Sequence, residues 1–80
     1  MKYVYLLRSL SSPSRVYTGL TDNPERRLVE HNSGKSTSTR RQGPWKIEIT
    51  IGFADDQRAV TFERYLKTGS GIAFARKHFL

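Results

Sequence analysis

Glu63 puts a carboxylate on an otherwise apolar helical stripe, four residues after Ala59 and beside Phe62 and Leu66. An ionised carboxylate facing inward is costly unless a cation or a set of donors meets it. A structural ion pair with an arginine, or a stripe edge that stays wet, would serve equally well, and the residues leave these readings open. Arg27 and His31 lie one helical turn apart and share a face with Leu28. The plainer reading of that face is solvation; the chemical one is an anion contact beside a proton carrier. Tyr3 and Tyr5 point to one side of one strand, and Tyr17 and Gly19 to one side of another. Tyrosines fill half-buried sheets as a matter of course, but they also bring hydroxyls to a surface. Gly19 suits a strand end or bulge, or a place where backbone comes close to a ligand. Lys35, Arg40 and Arg41 sit among serines and threonines. Such a segment is either a solvated loop or a set of phosphate contacts.

Charge favours the second reading of that loop. The 80 residues carry 14 Lys and Arg against 7 Asp and Glu, a formal +7, with a pI near 10.3. A small domain this basic commonly meets a polyanion, and nucleic acid is the first expectation. An anionic membrane is disfavoured, because the basic residues do not line one amphipathic helix. No stretch reads as a signal peptide or a membrane span, and Tyr3 to Leu7 is far too short to cross a bilayer. The chain has no cysteine, which fits a reducing cytoplasm and excludes thiolate metal sites. The length leaves room for one domain, residues 1–80.

The elements that must position these residues follow from local pattern. Residues 2 to 8 and 15 to 20 are β-branched, aromatic and aliphatic, and predict a hairpin across the Ser9 to Ser14 turn. Asn23 is a good N-cap, Pro24 suits a first helical position and Gly34 a helix end, so Pro24 to about Asn32 is a predicted helix. Ser33 to Gly43 is small, polar and basic, a predicted mobile loop. From Trp45 to Phe53, Ile47, Ile49, Ile51 and Phe53 alternate with Lys46, Glu48 and Thr50, a strand with one buried and one wet face. Asp55 or Asp56 caps a helix reaching about Thr68; Gly69 and Gly71 interrupt, and Ile72 to Phe79 is a last helix with Ile72, Ala75 and Phe79 on one side. The order β-β-α-β-α-α predicts an α/β (α+β) fold: a small three-stranded, mostly antiparallel sheet flanked by helices. Tyr5, Tyr17, Arg27, His31 and Glu63 are expected on one surface of it.

Together these pieces resemble the GIY-YIG nuclease superfamily. Tyr3-Val4-Tyr5 followed by Tyr17-Thr18-Gly19 is similar to its two-part signature, with Tyr3 in place of the first glycine and Thr18 in place of the isoleucine. Arg27 and His31 resemble the residues of the helix after the signature, and Glu63 matches the acidic residue of a later helix. The resemblance is nearest to small stand-alone bacterial members of the URI-domain type, on His31 to Gly34, Thr39 to Trp45 and Glu63 to Lys67. Many family nucleases carry a late asparagine; here the only asparagines are Asn23 and Asn32, and Ser70 is the nearest polar substitute.

The resemblance implies metal-dependent hydrolysis of phosphodiester bonds in nucleic acid, DNA more than RNA, in repair or recombination. Glu63 would hold Mg²⁺ or Mn²⁺, Arg27 would contact the scissile phosphate, Tyr17 would act as general base or place the water, and Tyr5 would orient water or phosphate. A tyrosine hydroxyl ordinarily ionises at about pH 10, so such a base needs help from His31, the metal or Arg27. Gly19, Lys35, Arg40 and Arg41 would contact the nucleic acid. The expected protein is a cytoplasmic monomer, with a partner subunit as an option. The alternative is a module of the same fold that binds nucleic acid without cutting it.

Overall fold

The computed structural model describes all 80 residues. Three strands, β1 (Lys2–Ser9), β2 (Val16–Thr21) and β3 (Trp45–Phe53), alternate with helices α1 (Pro24–Asn32), α2 (Asp56–Leu66) and α3 (Gly69–His78) in the predicted order. The sheet order is β2-β1-β3, and both pairings are antiparallel.

β1 is the central strand, and its composition reflects that place. Val4, Tyr5, Leu6 and Leu7 are all buried, a run of consecutive apolar residues rather than an alternation, because both faces of the strand are covered. On one face Val4 and Leu6 pack with Ala59, Leu66 and Ala75 of α2 and α3. On the other Tyr5 and Leu7 pack with Trp45, and Leu28 of α1 closes over them. Burying each such aliphatic side chain contributes about 1.5–3 kcal/mol.

The helix starts follow the predicted caps. Asn23 Oδ1 accepts from the Arg26 N–H at 3.1 Å, and Asp55 Oδ1 accepts from the Gln57 and Arg58 N–H groups. α3 begins earlier than predicted, at Gly69 rather than Ile72. Thr68 caps it through Oγ1, which accepts from the Gly71 N–H. Gly71 marks a close crossing rather than a break: a Cβ there would lie 1.8 Å from the Tyr65 carbonyl oxygen. The inner side of α3 also differs. Phe74 and Phe79 join Ala75 against the core, while Ile72 stays 43% exposed.

Two further predictions are corrected. The alternation in β3 does not define one buried face, because a bulge opposite Leu6/Leu7 leaves Glu48 unpaired: Ile49 lies across from Leu6 and Ile47 across from Leu7. Ile49 and Phe53 therefore pack towards α2 and α3, and Ile47 packs towards α1. The extra residue is held by Arg8 and Lys46, each 3.2 Å from Glu48 Oε1. The Ser33 to Gly43 segment is anchored rather than free. Ser36 and Thr39 are buried, and the Arg40 N–H donates to the Ser36 carbonyl at 3.0 Å. Asn32 fixes the end of the loop by donating to the Trp45 carbonyl and accepting the Trp45 N–H at 2.7 Å.

Candidate active site

The register of the hairpin assembles the site. Tyr5 lies opposite Gly19, and Leu7 opposite Tyr17, so the side chains of Tyr5 and Tyr17 emerge on the same face of the sheet. α1 crosses that face and lowers His31 into it. The three rings form one cluster, with centroids 6.2 Å apart for Tyr5 and Tyr17, 5.9 Å for Tyr5 and His31, and 4.9 Å for Tyr17 and His31. Gly19 has its own place here. A Cβ at 19 would sit 2.4 Å from Cζ and Oη of Tyr5, so the close approach that glycine permits is to the Tyr5 ring.

Tyr5 and His31 are each 1% exposed. Tyr5 Oη and His31 Nε2 are 2.9 Å apart, and His31 Nδ1 lies 2.6 Å from Thr39 Oγ1. Burial pushes the Tyr5 hydroxyl up from its ordinary ionisation, against an opposing pull from the Arg27 guanidinium beside it. Burial, reinforced by the positive Arg27, pushes His31 down. Both groups are therefore neutral near pH 7, so one ring nitrogen of His31 donates and the other accepts, and the relay from Tyr5 through His31 to Thr39 is satisfied in a single direction set by the tautomer. Both ring nitrogens are engaged, so His31 has none free to take a proton from Tyr17. Tyr5 is likewise buried, with its hydroxyl bonded to His31.

Tyr17 is half-buried and its hydroxyl makes no hydrogen bond within the chain. It is the tyrosine of the pair that is open to a ligand. Arg27, from the same face of α1, is partly exposed and pairs with Glu30 at 2.9 Å. The Glu30 hydrogen bond holds Arg27 above its usual value and Glu30 below its own. Sequence reasoning missed Glu30 and Thr39. Thr39 had a signal in the Thr-Arg pair that helped carry the resemblance; Glu30 had only its i,i+3 spacing from Arg27.

Glu63 departs from the expected single surface: it stands on α2, on the other side of the sheet from the Tyr5, Tyr17 and His31 rings. α2 packs on the face that carries Val4 and Leu6, whereas Tyr5 and His31 lie on the α1 face. The Glu63 side chain is 13% exposed, and its carboxylate pairs with Lys67 Nζ, a lysine rather than the arginine considered from sequence. The two sides meet around β2, an edge strand: Lys67 and Tyr17 line the same cleft. Lys35, Arg40 and Arg41 are exposed on the loop beyond α1.

No cluster of three or more His, Cys, Asp or Glu side chains is present, so the chain builds no cage for a metal. A single carboxylate does suit a hard cation that keeps most of its waters and takes further oxygens from substrate phosphates, as Mg²⁺ does. Glu63 fits that requirement.

With this geometry in place, the likenesses to known proteins are informative. A sequence model of the GIY-YIG catalytic domain matches residues 1–72. The structure-specific endonuclease subunit SLX1 homolog of Giardia intestinalis is 38% identical over 65 residues, covering 76% of this chain and 18% of that protein. The structure-specific endonuclease subunit SLX1 of Candida dubliniensis is 37% identical over 71 residues, 80% of this chain and 25% of that one. The chain thus spans a quarter or less of the length of these curated relatives. A UPF0213 protein from Bacillus halodurans, solved in solution by NMR, superposes with a TM-score of 0.57 at 30% identity, covering 96% of this chain and 84% of that one. No helix is long and apolar enough to cross a membrane. By the extent of the matched sequence and the agreement in fold, the chain belongs to the GIY-YIG catalytic-domain family.

Proposed function

We propose that this domain is an endonuclease that hydrolyses phosphodiester bonds in nucleic acid, with DNA as substrate and Mg²⁺ or Mn²⁺ held by Glu63. The observation that carries the reading is the buried Tyr5–His31 hydrogen bond at 2.9 Å. Two polar rings taken out of water gain little for folding, but here they hold the Tyr17 ring 4.9 Å from His31 and leave its hydroxyl free. Placement of that kind lowers a barrier by presenting groups already oriented.

The residues divide the work. Tyr17 positions the attacking water through its free hydroxyl. Arg27 exchanges Glu30 for the scissile phosphate and offsets the charge that builds on its oxygens. Tyr5, His31 and Thr39 hold the tyrosine cluster in register. Glu63 would hold a divalent ion, which when bound would supply charge neutralisation and make a bound water more acidic. Lys35, Arg40 and Arg41 contact the backbone of the nucleic acid. The relatives are described as subunits, and we take a partner protein that selects the cutting site to be part of the same reading.

A second reading rests on the Glu63–Lys67 ion pair. If that pair is structural, the domain binds nucleic acid without cutting. Incubating the purified chain with branched, single-stranded and duplex DNA and RNA, with Mg²⁺, Mn²⁺ or a chelator, tests the proposal. Cleavage that needs the metal supports it; binding to the panel with no cut under any condition favours the binding module.

A further inference from the structure

The β1–β2 hairpin contributes to a site on each of its faces. On one, the Tyr17 ring meets His31. On the other, Leu6, Val16 and Thr18 line a cleft of about 390 Å³ where β1 and β2 face α2 and α3. The volume lies in the range of small-molecule sites, which begin at roughly 300 Å³. Val16, Leu66 and Ile72 give this cleft apolar walls, and Thr18 and Arg76 give it polar groups. Arg76 is exposed and pairs with no acidic side chain. Ile72, at 43% exposed, leaves a branched apolar side chain uncovered.

These features select a ligand. Apolar walls suit a flat π-face, a hydroxyl suits a hydrogen-bonding edge, and an unpaired guanidinium suits a phosphate. One chemical class carries all three within a few ångströms: a nucleotide whose base is out of its stack. A base held in a duplex presents no free face and cannot enter. We propose that this cleft receives an unpaired nucleotide flanking the scissile phosphate, with its base against Leu66 and Ile72 and its phosphate on Arg76. The inference rests on the nuclease reading and sharpens it: the substrate carries an unpaired nucleotide beside the cut. Lys67 lines the cleft and pairs with Glu63, so filling the cleft places the neighbouring phosphate close to that carboxylate.

Methyl NMR of the full chain, titrated without metal with single-stranded trithymidylate and with its abasic analogue, tests the cleft separately from cleavage. The Leu66 and Ile72 methyl signals should shift and saturate. Removing the bases should weaken binding about tenfold, the order expected of one lost base contact. Ile72→Glu should weaken it at least tenfold and Arg76→Gln about fivefold, both at unchanged melting temperature. Equal binding of the abasic analogue, silent cleft methyls, or no binding at low salt would overturn the proposal. Metal-dependent cleavage that needs Tyr17 and Glu63 while those methyls stay silent removes the cleft alone. Cleft shifts in a chain that never cuts remove the nuclease reading alone.

Discussion

The Tyr5 hydroxyl and His31 Nε2 share a hydrogen bond of 2.9 Å in a space closed to solvent. Burial depresses the His31 pKa from its ordinary value of 6.5, so the folded chain favours the neutral ring. The sign of the linkage follows. Above about pH 6.5 the unfolded histidine is neutral as well, and the stabilisation is complete. As pH falls below that value the unfolded state takes up a proton that the folded state resists, and stability is lost down through the lowered folded pKa. Melting temperature measured from pH 7.5 to 5 should therefore decline below about pH 6.5. His31→Gln should be less stable at pH 7.5 but should lose that decline. A wild-type profile flat across the window, or a decline unchanged in His31→Gln, would show that His31 is not the group responsible.

Gly19 gives the cluster a steric test. A Cβ there would lie 2.4 Å from Tyr5 Oη and Cζ, and the ring has no slack, since its hydroxyl is tied to His31. Gly19→Ala should cost about 1–3 kcal/mol, the usual range for overpacking a filled site. It should also shift the His31 ring protons in NMR spectra. Stability within a few tenths of a kcal/mol of wild type, about the error of assigning such effects, would mean that Tyr5 has room the structure does not show.

The exposed loop cations should act as a polyanion contact. Binding to duplex DNA should weaken steeply with added salt, and Arg40→Gln with Arg41→Gln should reduce the slope of log K against log salt by about two, one for each lost phosphate contact. A slope unchanged in the double variant would place the contact surface elsewhere.

Lys67 competes for the same carboxylate as a cation would. Lys67→Met frees Glu63, so Mn²⁺ bound in the absence of nucleic acid should bind up to about fivefold more tightly, the scale of a largely exposed ion pair. Paramagnetic broadening of the Glu63 signals reads this directly. Unchanged broadening would mean that Lys67 is no obstacle to the ion.

Much of this molecule was legible from sequence because its signals are local. Asn23 and Asp55 announced their helices, and alternation announced the strands. What stayed hidden depends on partners distant in the chain. The bulge at Glu48 lets Ile47 and Ile49, two residues apart, face opposite sides against Leu7 and Leu6, and no pattern within β3 reveals that. Thr39 reads as one more polar loop residue until the buried His31 Nδ1 needs a partner. Gly71 reads as a helix breaker until the Tyr65 carbonyl comes close. Within the site, spacing and resemblance together named Tyr5, Tyr17, Arg27 and His31, which the fold brings to one face. They did not tell the buried tyrosine from the open one, because that difference lies in α1 and the loop behind it.

Single-turnover cleavage by Glu63→Gln, with binding measured in parallel, tests the central claim most directly. The substitution keeps the shape of the side chain and removes the anionic ligand. The account predicts that cleavage falls at least a hundredfold, on the order of losing one principal electrostatic contribution, while affinity for nucleic acid stays within about twofold because it rests on the basic surface. Wild-type protein that cuts nothing with Mg²⁺ or Mn²⁺, together with a Glu63→Gln chain that melts at a lower temperature, would contradict it and leave Glu63 as half of an ion pair with Lys67.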